Sequence, residues 1–206
     1  MRLVSSKLER HSRGAPVLTV LTLGATVVGT ATRLFGNDPV HALRRDPGAL
    51  SHGEIWRLVS PVLVQTDERV INVLLVFAGC AAVGVFAERV LTRARWIILY
   101  FCGSLAGHGL GEVFQPLQGG TSVAFVGILG GLGAIAALTT DPALRRFRPH
   151  ALAGIPLAAL DTALGDIHGA PYLVCFAIGA VWMHRDARSA RSSEPTTTQP
   201  GEPSWA

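Results

Sequence analysis

Apolar residues fall into six runs, Pro16 to Phe35, Val70 to Ala87, Trp96 to Val113, Ser122 to Leu138, Ala151 to Leu164 and Ala170 to Met183, each bounded by charge, Gly or Pro. Runs of this kind read as transmembrane helices, so the pattern predicts an all-α, polytopic membrane protein with six crossings. The first run is rich in Val, Thr and Gly and lacks a small-residue cleavage site, so it is expected to be retained rather than removed as a signal peptide. The implied organisation is a basic N-terminus at 1–15, a membrane domain at 16–184 with a long outer loop at 36–69, and a disordered cytoplasmic tail at 185–206. From Ser189 onward the tail is rich in Ser, Thr, Pro and Glu, a composition that buries no core and predicts disorder. The run Ala170 to Met183 has 14 residues. That is about 21 Å of helix against a hydrocarbon core of about 30 Å. The outer ends of the fourth and sixth helices are therefore expected to border a water-filled cavity, where irregular backbone at membrane depth is tolerated.

Basic residues test the topology independently, because they favour the cytoplasmic side of a membrane helix. Thirteen of them precede the first helix, join helices two to three and four to five, or follow helix six: Arg2, Lys7, Arg10, Arg13, Arg89, Arg93, Arg95, Arg145, Arg146, Arg148, Arg185, Arg188 and Arg191. The opposite loops, 114–121 and 165–169, contain neither Lys nor Arg. Both termini are thus expected to be cytoplasmic. The first outer loop is the exception, but its Arg44, Arg45, Arg57 and Arg69 are mixed with Asp46, Glu54, Asp67 and Glu68, which suits a partly structured loop on the membrane surface.

Nearly half the 206 residues are hydrophobic and 16% are charged, which strengthens the membrane assignment. The net charge of +4 lies in short clusters between apolar runs, which argues against a nucleic-acid partner. Seventeen of the 18 basic residues are Arg, a bias typical of a high-GC bacterial genome, and the expected location is a bacterial plasma membrane. Cys80, Cys102 and Cys175 all lie in apolar stretches and form no disulfide framework or metal-binding spacing.

Five segments in order carry a family resemblance. Gly53-Glu54-Ile55-Trp56-Arg57-Leu58-Val59-Ser60-Pro61 resembles the first-loop segment Gly-Glu-Trp-Trp-Arg-Leu-Leu-Thr-Pro of the rhomboid intramembrane serine proteases. Ala87-Glu88-Arg89 is similar to the family's Leu-Glu-Arg, and Leu99-Tyr100 to Ala106-Gly107 to its third helix. Gly120-Thr121-Ser122-Val123-Ala124-Phe125-Val126-Gly127 resembles the start of the nucleophile helix, and Asp166-Ile167-His168-Gly169-Ala170 leads into a last helix containing Gly179. The resemblance spans roughly residues 50–183 and implies a rhomboid-like bundle of six helices with a Ser and His pair.

Position by position, Ser122 matches the family's nucleophile. The family's histidine lies seven residues before a glycine of the last helix, and counting back from Gly179 reaches Tyr172. A phenol, with an ordinary pKa near 10, is a poor general base at neutral pH. The helix-two positions that hold His and Asn in the family carry Asn72 and Val76, so one oxyanion donor is changed and the other is apolar. Val123 replaces a glycine where close helix packing is expected. Ser122 is accordingly read as a vestigial nucleophile position among packing glycines. His168 lies ahead of Pro171, which suits the first turn of a helix, and is read as a solvent-facing loop residue one turn away from the base position.

His108 and Glu112, at i and i+4 in the third helix, form a candidate polar site with His168, and a His108 to Glu112 hydrogen bond is expected. The spacing matches no metal motif, and no cofactor is implied. These residues favour a non-catalytic rhomboid-like protein whose partners are the lipid bilayer and a transmembrane client. The alternative is an active intramembrane serine protease using Ser122. A small transporter is a third reading, but no paired half-helix interruption or inverted repeat supports it.

Overall fold

The computed structural model describes residues 15–32, 39–67 and 69–192, and all regular structure among them is helical. The elements are α1 (Val17–Ala31), α2 (Pro39–Leu43), α3 (Pro47–Ser51), two 3-10 turns (Ile55–Leu58 and Ser60–Leu63), α4 (Val70–Val90), α5 (Arg93–Phe114), α6 (Ser122–Leu138), α7 (Pro142–Arg145), α8 (Arg148–Ala163) and α9 (Gly169–Ser192). By length and composition α4 and α5 can cross a membrane; α1 and α6 are shorter apolar helices.

The bundle is built around α6. Twelve of its 17 residues are buried, four of them glycines, because α5, α8 and α9 all pack against it. At the α5 crossing, a Cβ on Gly127 would lie 2.6 Å from the Cα of Gly103, so neither position has room for a side chain. On the α9 side, Gly130 faces the backbone of Tyr172 with equally little space. Trp96 stacks on Tyr100 at 5.2 Å, and Phe125 meets both rings edge-on, which fills the α5–α6 seam.

Helix α1 is joined to α4 through Glu88. Its carboxylate accepts from the Thr19 backbone N–H at 2.7 Å, the Thr19 hydroxyl at 2.6 Å and the Leu18 N–H at 3.2 Å. Those backbone donors belong to the first turn of α1 and have no partner within the helix, so an acceptor from α4 satisfies them and complements the helix dipole.

The segment between α1 and α4 is folded onto the bundle. Arg57 donates to Glu54 at 2.7 Å and to the carbonyls of His41 and Arg44, and the Ser60 hydroxyl donates to the Leu43 carbonyl. Asp46 caps α3 through the Ala49 N–H. Two contacts then tie this segment to the entrance of α6: Gly120 N–H donates to the Pro61 carbonyl at 2.9 Å, and Thr66 exchanges hydrogen bonds with Gly119.

The last helix corrects the expectation of a short sixth segment. α9 has 24 residues, about 36 Å of helix, because its polar end continues beyond the apolar run. There Arg95 bonds both carboxylate oxygens of Asp186 at 2.9 Å and lies over the Trp182 ring, anchoring the extension to α5. Residues 185–192, assigned above to a disordered tail, are helical. The rest of that tail, from residue 193, and the basic segment 1–14 lie outside the described residues.

Candidate active site

Ser122 is the first residue of α6, and the turn that delivers it is fixed on both sides. Gly119 and Gly120 are held by Thr66 and Pro61, and the buried Thr121 hydroxyl bonds the Tyr100 hydroxyl at 3.0 Å. His168 reaches the same level from the opposite side. Helix α8 ends at Ala163, Gly165 turns the chain with φ of 81°, and α9 begins at Gly169, pressed against Ala158 and Thr162 of α8 where no Cβ fits. The residue just before α9 is thereby brought beside the first residue of α6.

The consequence is a continuous chain of hydrogen bonds. Ser122 Oγ lies 3.0 Å from His168 Nε2, and His168 Nδ1 lies 2.8 Å from Asp166 Oδ1. The same carboxylate oxygen accepts the His168 backbone N–H at 2.8 Å, closing a local turn that fixes the ring. An ionised carboxylate only accepts, so the imidazole proton sits on Nδ1, and Nε2 is left to accept from the serine hydroxyl. Burial pushes the Asp166 carboxyl up, but the backbone and ring hydrogen bonds from His168 outweigh this and hold it below the usual carboxylate range. Both partners are partly open to solvent, with side-chain exposures of 39% for His168 and 48% for Asp166.

His168 is the partly solvent-facing loop residue expected, but the geometry corrects its distance: it is within hydrogen-bond reach of Ser122 rather than a turn away. Tyr172 is the residue out of reach. Its backbone faces Gly130, eight residues and about 12 Å along α6 from Ser122. Its hydroxyl donates to the Ala151 carbonyl at 2.8 Å, and its ring lies between Gly133 and Gly154. Of the two helix-two positions, Asn72 donates to Asp67 at 3.2 Å, whereas Val76 lines the cavity next to Ser122. Val123 is fully buried without displacing its neighbours because Gly107 lies opposite it.

His108 and Glu112 do not form the expected hydrogen bond. The buried His108 ring instead takes Arg45 Nη1 on Nδ1 at 2.8 Å, and Arg45 Nε donates to the Gln115 carbonyl at the end of α5. Arginine only donates, so His108 carries its proton on Nε2. Neither that nitrogen nor the Glu112 carboxylate has a protein partner among the described residues. No group of three or more His, Cys, Asp or Glu among the described residues is arranged to hold a metal ion.

A cavity of about 580 Å³ opens in front of Ser122 and His168, lined also by Arg44, Arg45, Gln65, Val76 and Gln118. The helix start supplies donors to it. Ala124 and Phe125 N–H turn back to the Thr121 carbonyl, which leaves the Ser122 and Val123 N–H groups with no acceptor among the described residues. Such a helix N-terminus is suited to stabilising negative charge. Asp166 and the two arginines were not assigned roles from sequence. The Asp-x-His spacing was a usable signal for the first, since a carboxylate two residues before a histidine reaches its Nδ1 through a local turn.

Compared with models of protein families and with curated proteins, the chain matches none.

Proposed function

We propose that the protein is a membrane-embedded serine hydrolase of rhomboid-like architecture that cleaves an acyl bond, most naturally the peptide bond of a transmembrane client, at the outer end of a six-crossing bundle. The observation that carries this reading is the Ser122–His168–Asp166 chain, which has the donors and acceptors of a nucleophile, a base and an orienting acid in sequence. Support for the membrane setting comes from α4 and α5 and from the distribution of basic residues.

In this mechanism Ser122 Oγ attacks the carbonyl carbon as its proton passes to His168 Nε2. The resulting oxyanion lies against the Ser122 and Val123 N–H groups, and His168 then delivers the proton to the leaving group. Water repeats the sequence on the acyl-serine, with His168 again as base. A second reading, client binding without cleavage, is favoured by the apolar Val76 at a position that carries an oxyanion donor in the family the sequence resembles.

A fluorophosphonate probe discriminates the two. The full chain in mild detergent is expected to be labelled at Ser122, with labelling abolished by Ser122→Ala, reduced at least about 10²-fold by His168→Ala, and retained by Tyr172→Phe. A chain inert to the probe, or labelled equally well without Ser122, would refute the hydrolase and leave the binding reading.

A further inference from the structure

We propose that the cavity in front of Ser122 binds a carboxylate, held by Arg44 and Arg45, so that the preferred substrate carries an acidic side chain or chain end close to the bond cleaved. The link to cleavage rests on the hydrolase reading; the anion site itself stands on separate observations.

The first is the state of Arg45. Only 1% of this residue is exposed, and a buried charge is costly unless it is paired. Its contacts are with uncharged groups, the Gln115 carbonyl and His108 Nδ1. Glu112 lies close enough to act on it through space, yet no carboxylate among the described residues forms an ion pair with it. Burial lowers its pKa to about 10, which leaves it cationic at neutral pH. The fold makes room for this group: a Cβ on Gly111 would lie 2.7 Å from Arg45 Cζ, so the guanidinium rests where α5 has no side chain.

The second is that Arg44 lines the same cavity with its Nε buried and without a partner among the described residues. Arg57 donates to its backbone carbonyl, so the segment that presents it is anchored. Glu112, which acts on Arg45 through space, does not line the cavity, and the other nearby acids are engaged elsewhere. Asp67 accepts from Arg69 N–H and Asn72, Asp166 from His168, and Asp46 from Ala49 N–H. Two guanidinium groups and one occupied carboxylate therefore line the cavity, a surplus of positive charge beside the nucleophile. A planar carboxylate group suits guanidinium donors, and with one charge on the group held it suffers less repulsion from Asp67 than a phosphate group with two.

The test separates this site from the hydrolase. Ser122→Ala in neutral detergent is melted with glutarate or glutaramide at matched ionic strength. Glutarate is expected to raise the melting temperature and glutaramide is not, with the apparent glutarate affinity falling at least about tenfold in Ser122→Ala/Arg44→Gln. Equal shifts from both compounds, or none from either, overturn the proposal. So does a shift produced by phosphatidylglycerol mixed micelles and not by glutarate, which would assign the site to a lipid headgroup. In parallel, the chain with Ser122 intact is treated with a fluorophosphonate bearing a terminal carboxylate and with its methyl ester. A carboxylate preference of at least about tenfold that disappears in Arg44→Gln supports the inference. Labelling without preference overturns it while leaving the hydrolase. Inertness to both probes with glutarate binding intact sinks the hydrolase while supporting the anion site.

Discussion

Replacing Asp166 by Asn tests the proposed catalytic chain most sharply, because the structure limits how large its effect can be. Asp166 Oδ1 accepts both the ring and the backbone N–H of His168 at 2.8 Å. An amide oxygen in the same place accepts both, so Asp166→Asn preserves the turn and the tautomer and removes only the charge. A hydrogen bond to a charged group contributes about 1.5–3 kcal/mol and a neutral one about 0.5–1.5, a difference of roughly 1–1.5 kcal/mol. That corresponds to about five- to tenfold in rate. The side chains are 39% and 48% exposed, and solvent screening places the effect at the lower end. A buried triad loses about 10⁴ on the same change, largely through the wrong tautomer. The assay is the second-order rate of fluorophosphonate labelling at neutral pH, with Ser122→Ala as background. Asp166→Ala, which deletes the acceptor of both hydrogen bonds, should cost about a hundredfold. If Asp166→Asn and Asp166→Ala both label within about twofold of the parent, Asp166 serves only the local turn and the chain ends at His168. A loss above about 10³ for Asp166→Asn would mean that the carboxylate is shielded in the working state, contrary to its exposure here.

Two further outcomes follow from the packing and from the loop carboxylates. Gly127→Leu should lower the melting temperature in detergent far more than Ser122→Ala, because overpacking at the Gly103 contact costs about 1–3 kcal/mol or more, whereas the serine loses one partly exposed hydrogen bond; equal shifts would show that the crossing can open. Asp46, Asp67 and Asp166 all have folded-state pKa values below the ordinary carboxylate value of 3.8, so the stability they confer is present above about that pH and is lost as pH falls through their folded values. Melting curves recorded through that range should decline, and Asp46→Asn, which keeps an acceptor for the Ala49 N–H but cannot titrate, should flatten the decline; parallel curves for the parent and the variant would refute the assignment.

The elements were largely legible because their ends carry local signals. Ser122–Leu138 agrees at both ends with the apolar run, since Gly119-Gly120 opens it and Thr139 closes it, and Val70 begins α4 where the charged residues stop. The last helix was read too short because its extension depends on Arg95 and Asp186, 91 positions apart, and no local pattern marks such a pair. The same limit explains the Arg45 to His108 contact, made across 63 positions where sequence spacing had suggested Glu112 as the partner. Asp166 was visible as a residue but not as a partner, because its role depends on which ring nitrogen His168 turns outward.

The misplacement of His168 has a geometric cause. Counting along α9 fixes a residue's height on that helix, whereas contact with Ser122 depends on the relative height of two helices. That offset is set by small residues distant in sequence. Gly169 lets α9 begin against Ala158 and Thr162, and Gly130 admits the Tyr172 backbone two turns inside the Ser122 level. Once these contacts are made, residue 172 points toward Gly133 and Ala151, deep in the bundle, while the residue preceding α9 stands beside the first residue of α6. The position of His168 in the loop before α9 has a chemical consequence for the proposed hydrolase as well. It places the imidazole at the cavity rather than within the helix seam, where water for deacylation can reach it and where Asp166, in the connecting loop, can hold its Nδ1. On the proposed hydrolase reading the two positions divide the work: the loop residue His168 has the reach to act as base on Ser122, while residue 172, one turn further along, packs into the core.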